Sequence, residues 1–195
     1  SEPPAYPNLG GDPAWEARGV RWMNEVRARA RAGVAAPQTI SDVHAILDEM
    51  RLFKDATEIA VMRRAAGISC AAHRRAMHAA RPGVGQFANE AELMHESRRN
   101  GAQAPAYTPI VASGRHACVL HYVENDGVLG DGELLLIDAG CELDGYASDI
   151  TRTFPVNGNF SGPQRDLYEL VLAAQAGASA EVGAGGPRVS AHTPR

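Results

Sequence analysis

The sequence of 195 residues carries little excess charge, only one lysine (Lys54) and no long hydrophobic run. Its net charge of −4 provides no basic surface for the phosphates of nucleic acid or for an anionic membrane, so neither is expected as a partner. The longest apolar stretch is far shorter than the roughly 20 residues that a membrane-spanning helix needs. Three cysteines without a C-x-x-C spacing indicate a reducing compartment, and we predict a cytoplasmic protein.

Several common catalytic signatures are also missing. The sequence contains no P-loop, no G-x-S-x-G elbow and no G-x-G-x-x-G loop, so none of these local motifs points to its chemistry. Apolar residues make up 45% of the chain, enough for a core. Patterns of helical period come first and short strands follow, and this order predicts an α+β fold with helices packed on an antiparallel sheet.

The most informative segment is a predicted hairpin between residues 134 and 154. Asp144-Gly145 separates two apolar runs, and Asp-Gly in that position is typical of a two-residue type I′ turn. With this turn, Asp138 faces Thr151 and Gly140 faces Asp149. Because side chains alternate between the faces of a strand, Asp138 and Asp149 then lie on one face as diagonal neighbours, roughly 7–8 Å apart at the backbone. Two such carboxylates, with a glycine beside them to leave room, suit a pair of bridged metal ions.

A simpler explanation is that each aspartate forms a turn or a cap. Asp138, however, follows four apolar residues, so its strand is predicted to be buried. A buried carboxylate is costly unless it is paired, hydrogen-bonded or coordinated. The sequence alone leaves the structural and the metal-binding interpretations open.

His121 is the third candidate, on a predicted strand over residues 119–123. A lone histidine on a strand is more often structural than catalytic. It gains functional meaning only if it points into the same cleft as the two aspartates.

These segments together resemble a known family. The sequence is similar to bacterial Xaa-Pro aminopeptidase (aminopeptidase P), one of the pita-bread metallopeptidases, over about residues 13–176. The resemblance is carried by separate blocks in the family's order, at residues 50–54, 58–65, 120–125, 137–141 and 145–156.

The resemblance implies the first half of a pita-bread fold and release of the N-terminal residue from peptides with proline in second position. It implies that Asp138 and Asp149 are metal ligands, with Asp149 bridging, and that His121 contacts the substrate and assists proton movement. The implied cofactor is a pair of divalent ions, typically Mn²⁺, and the implied partners are the peptide substrate and further copies of the chain in a homo-oligomer.

The resemblance also implies three further ligands, a histidine and two glutamates, from the second half of the domain. No family-like motif for them follows residue 176, where Glu181 and His192 stand in a segment rich in Ala, Gly and Ser. We therefore expect the end of an N-terminal domain and a linker at 1–40, half of a catalytic domain at 41–176 and a disordered tail at 177–195. On this prediction the chain is a truncated piece with weak or no activity. A non-catalytic half-domain that binds a partner, and a prolidase, are the alternatives.

Overall fold

A computed structural model describes residues 4–182, which form two compact units divided between Ile59 and Ala60. The sequence-based boundaries at 40 and 176 stay a prediction. Among the described residues, no helix is long and apolar enough to cross a membrane.

The first unit contains two helices and an extended N-terminal segment. Helix α1 (Pro13–Ala28) begins with Pro13 in its first turn and with the Asp12 side chain accepting a hydrogen bond from the Ala14 N–H, which satisfies one of the open N–H groups at a helix start. A 3-10 turn (Ala30–Ala32) and α2 (His44–Leu52) follow. Ala5 pairs with Ile40 in an isolated parallel bridge.

The second unit packs helices against antiparallel strands, which confirms the predicted α+β class. Its helices are α3 (Ala56–Ala79), which begins before the division, α4 (Gln86–Arg99) and α5 (Gly162–Glu181). Its strands are β1 (Ala104–Pro105), β2 (Ile110–Ser113), β3 (Leu134–Ala139), β4 (Cys141–Leu143), β5 (Tyr146–Ala147) and β6 (Ile150–Pro155). They form two three-stranded sheets with the orders β2-β3-β6 and β1-β4-β5.

Strand β3 carries the core on one of its faces. Leu135, Ile137 and Ala139 alternate with less buried residues and join a cluster with Ala72 and Leu93 from the helices. Complete burial of Leu135 and Ile137 contributes about 1.5–3 kcal/mol each. Asp138 belongs to the opposite face of β3, where it is only half-buried. The predicted burial of this strand therefore holds for one face of β3 and not for the face that carries Asp138.

Two other predictions need correction. Residues 119–123 are not a strand, because the chain forms a 3-10 helix (Gly114–Cys118) and then an irregular loop. Leu120 is 87% exposed, so the apolar alternation in this segment does not mark a buried face. Helix α5 continues to Glu181, so disorder from Gly177 onward is wrong for residues 177–181. The alanines there favour helix, and residues 183–195 lie outside the described part of the chain.

Candidate metal centre

The hairpin that carries the two aspartates has the predicted register. Asp144 and Gly145 both have positive φ angles, 51° and 81°, as a type I′ turn requires. Leu143 pairs with Tyr146 and Asp138 pairs with Thr151. The same register holds on both sides of Gly140, Ser148 and Asp149, which belong to no strand and where the hairpin passes from one sheet to the other.

Gly140 has a different role from the one expected. A Cβ atom at this position would lie 1.6 Å from the backbone oxygen of Ser148, so glycine is required by the close approach of the neighbouring strand. The space beside the aspartates is therefore filled by backbone, and the idea that Gly140 leaves room for metal ions is wrong.

The carboxylates of Asp138 and Asp149 meet at one tyrosine hydroxyl. Tyr107 Oη lies 2.6 Å from Asp138 Oδ1 and 2.8 Å from Asp149 Oδ1, and its single proton can be donated to either of them. The two carboxylate oxygens are thus no more than about 5.4 Å apart, the sum of these lengths, a distance that one cation or a pair of bridged cations can span.

Tyr107 also responds to the two charges. Burial, followed by the hydrogen bonds to Asp138 and Asp149, raises the pKa of the Tyr107 hydroxyl far above its ordinary value of 10.0, because ionisation would place a third negative charge beside two carboxylates. The hydroxyl therefore stays protonated and acts as a donor. No motif in the sequence points to Tyr107, which is 31 and 42 positions from its partners.

His121 lies in the same cavity as the aspartates. This open cavity, of about 390 Å³, is lined by Tyr107, Thr108, Ile110, His121, Val123, Asp138 and Asp149. The condition set for a functional histidine is therefore met, although its loop is not the predicted strand. His121 has a φ angle of 55°, a left-handed conformation that a non-glycine residue keeps only when its surroundings hold it there.

Two buried side chains hold the His121 loop. The Tyr122 hydroxyl donates to Gln86 Oε1 at 2.9 Å or to Asp126 Oδ1 at 2.8 Å. The Asn125 amide accepts from the Val111 N–H at 2.8 Å and donates to the Pro109 carbonyl at 2.9 Å. Asn125 is itself left-handed, with φ 48°. The loop is thus fixed on the C-terminal side of His121 while His121 itself stays exposed.

The donor set suits a hard divalent cation. Asp138 and Asp149 provide anionic oxygen ligands, and none of the described residues lining their cavity carries a fixed positive charge. Within residues 4–182, however, no group of three or more His, Cys, Asp or Glu side chains could hold a metal ion. The carboxylates therefore fit as part of a metal site, and two ligands are too few for a closed one.

Known proteins match this chain in sequence. The family model described as Metallopeptidase family M24 matches residues 60–192. The Xaa-Pro aminopeptidase of Escherichia coli (strain K12) is 51% identical over 150 residues, covering 77% of this chain and 34% of that protein. The Xaa-Pro aminopeptidase of Haemophilus influenzae is 53% identical over 136 residues, covering 70% and 32%. The chain spans about a third of the length of these curated relatives.

Solved structures match it as well. Aminopeptidase PepP of Pseudomonas aeruginosa superposes with a TM-score of 0.92 at 49% identity, over 97% of this chain and 43% of that one. A zinc-substituted Escherichia coli aminopeptidase P in complex with product gives a TM-score of 0.85 at 44% identity, over 90% and 40%.

Proposed function

The chain belongs to metallopeptidase family M24, and from that premise we propose that the protein is a metal-dependent aminopeptidase that releases the N-terminal residue from peptides with proline in second position. The described residues have the α+β pita-bread arrangement that the resemblance implied. The observation that carries the proposal is the convergence of Asp138 and Asp149 on one point of a cavity that also contains His121. The names of the relatives support the choice of substrate.

In this proposal Asp138 and Asp149 hold divalent metal, which when bound lowers the pKa of water and polarises the peptide carbonyl. Asp149 is solvent-exposed, so its carboxylate can exchange the Tyr107 hydroxyl for a cation. His121 lines the same cavity and is exposed. We propose that it orients the substrate and moves a proton near the scissile bond.

We propose Mn²⁺ as the working metal. Carboxylate oxygens suit Mn²⁺, and one relative has been studied in a zinc-substituted form, so the metals should be compared directly. Calorimetric titration of wild type and of Asp149→Asn with Mn²⁺ and with Zn²⁺ measures the affinity of the chain for each metal. Equal binding by wild type and Asp149→Asn would overturn the assignment of the ligand.

Activity of the 195-residue chain should be low. The resemblance implies five carboxylate or imidazole ligands for the two ions, and the described residues bring two of them together. We expect the purified chain with excess Mn²⁺ to hydrolyse an Xaa-Pro peptide far more slowly than the intact Escherichia coli relative. Equal turnover would contradict the assigned ligand set.

A chimera tests the substrate and the site residues together. The matched segment of the Escherichia coli relative is replaced by that of this chain, and hydrolysis of an Xaa-Pro tripeptide, an Xaa-Pro dipeptide and a peptide without proline is measured. The proposal expects cleavage of the tripeptide and its loss after Asp138→Asn. Cleavage confined to the dipeptide would instead favour a prolidase.

A second candidate function is a half-domain that binds a partner without catalysis. It is favoured by α5, which has no buried residue and exposes Leu167, Leu170 and Val171 by about 60% or more each. Apolar surface of this kind is typical of an interface.

We also propose that the chain forms a homo-oligomer and is located in the cytoplasm. Sedimentation of the chain as a folded monomer would contradict self-association.

A further inference from the structure

A buried group of hydroxyls lies behind Asp149, where the ladder between the two strands of the hairpin changes. In an antiparallel pair of the hydrogen-bonded kind, both residues donate their N–H to the carbonyl opposite. The Ser148 N–H donates to the Cys141 carbonyl at 2.9 Å in this way. The reciprocal donor, the Cys141 N–H, is instead directed to two side-chain oxygens, Ser148 Oγ at 3.0 Å and Ser69 Oγ at 3.1 Å.

The reason is the direction of the Ser148 carbonyl. Its oxygen occupies the place of a side chain at Gly140, 1.6 Å from where a Cβ would stand, while the Cys141 N–H donates to the two serine hydroxyls instead of to this carbonyl. The same peptide unit leads directly into Asp149. Its rotation therefore sets the direction in which the Asp149 side chain leaves the strand.

The two serine hydroxyls accept the hydrogen bond of the Cys141 N–H, which this rotation leaves without a carbonyl partner. Cys141 is fully buried, and Ser69 and Ser148 are 2% and 7% exposed, so an unpaired Cys141 N–H would lose its hydrogen bond without gaining one from water. Ser148 Oγ donates to the Cys141 carbonyl at 3.0 Å, and the two hydroxyls lie 2.7 Å apart. With Ser69 donating to Ser148, every proton of this group has an acceptor.

We infer that Ser69 of α3 and Ser148 of the hairpin are positioning residues for the metal centre, which hold the Ser148–Asp149 peptide in the rotated state that brings Asp149 to Asp138. This inference rests on the proposed role of Asp149 as a metal ligand. Groups that orient a ligand without touching the metal commonly change metal affinity by about 10–100-fold when removed.

The test uses the 195-residue chain, Mn²⁺ as the probe and calorimetry as the measurement, with the thermal unfolding midpoint recorded for every variant. We expect the double change Ser69→Ala and Ser148→Ala to weaken Mn²⁺ binding by about tenfold or more. Ser148→Thr keeps the hydroxyl and should keep the affinity. Each single alanine variant leaves one acceptor for the Cys141 N–H and should have an intermediate affinity, which preserves the test if the double variant does not fold.

Ser113→Ala is the matched control. Ser113 is also a buried serine, 5% exposed, and its hydroxyl accepts from Gln86 Nε2 at 3.2 Å instead of supporting the hairpin. It should lower the unfolding midpoint and leave Mn²⁺ affinity unchanged. An equal loss of affinity in Ser113→Ala, or wild-type affinity in the double variant, would overturn the positioning role.

A further comparison separates this inference from the proposed function. Wild type that binds Mn²⁺ no better than Asp149→Asn would overturn the ligand assignment and the inference with it. Wild type that binds better than Asp149→Asn, together with a double variant that binds like wild type, would overturn only the inference. Amide exchange at Cys141, followed by NMR, should be faster in both single alanine variants than in wild type and unchanged in Ser113→Ala.

Discussion

Substitution of Gly140 by alanine should unfold the hairpin that carries the aspartates. A Cβ at Gly140 would lie 1.6 Å from the Ser148 backbone oxygen and 2.6 Å from its carbonyl carbon. Because the obstacle is backbone, no side-chain rotation can relieve it. The strands must separate by about 1.8 Å, the difference between 1.6 Å and the 3.4 Å at which ordinary contact begins, in an interior packed as densely as a crystal.

The expected cost follows from this displacement. Overpacking of a core by a few methylenes costs about 1–3 kcal/mol and occasionally more, and here the shift also breaks the bonds around Cys141. We therefore expect Gly140→Ala to lower the free energy of unfolding by at least about 3 kcal/mol. Urea unfolding followed by circular dichroism measures this loss as a lower midpoint.

Gly67→Ala is the control for the chemical change itself. Gly67 is exposed in the middle of α3, and a Cβ there meets nothing within 4 Å. Alanine is the better helix former, so this variant should gain about 0.5–1 kcal/mol. The reasoning is refuted if Gly140→Ala unfolds within about 1 kcal/mol of wild type, the average cost of an ordinary point mutation.

Three further predictions concern the site. Asp138→Asn should remove most Mn²⁺ binding in calorimetry, because a neutral amide replaces one of two anionic ligands; retained affinity would contradict its role. Since the pKa of Tyr107 is raised in the folded chain, the unfolded chain loses that proton first as pH rises through about 10. The free energy of unfolding should therefore fall above that pH, and it should fall less in Tyr107→Phe. Urea midpoints at pH 8 and pH 11 measure the fall, and an equal fall in the two proteins would contradict the prediction. Asn125→Ala leaves the buried Val111 N–H and Pro109 carbonyl without their partner, so it should lower the free energy of unfolding by about 1–3 kcal/mol. Proteolysis of the His121 loop should also become faster. A cleavage rate like that of wild type would show that Asn125 does not hold the loop.

The hairpin was predictable because its information is local. A turn dipeptide with two positive φ angles and a side-chain period of two determine the register from Leu143 and Tyr146 to Asp138 and Thr151. The sequence blocks that resemble the family predicted the fold and the metallopeptidase family, and the comparisons confirm both predictions. The roles of Asp138, Asp149 and His121 stay predictions.

What failed depends on contacts between distant segments. Alternating apolar residues over 119–123 indicate a strand, yet the conformation there is held by hydrogen bonds of the Tyr122 hydroxyl and the Asn125 amide. A pattern of apolar residues gives no information about such hydrogen bonds. Tyr107 belongs to no motif, so only the folded chain shows it between the aspartates. The burial of Asp138 was overestimated because four apolar neighbours do not reveal that one face of β3 is less covered than the other.

The amide of Asn125 has one more consequence, for the outer edge of a sheet. In the order β2-β3-β6, β2 is an edge strand. The outward N–H and C=O groups of an edge strand can pair with a β-strand of another chain. Asn125 takes up the N–H of Val111 and the carbonyl of Pro109, two groups at the start of that edge. One side chain thus protects the strand against edge-to-edge aggregation at that point.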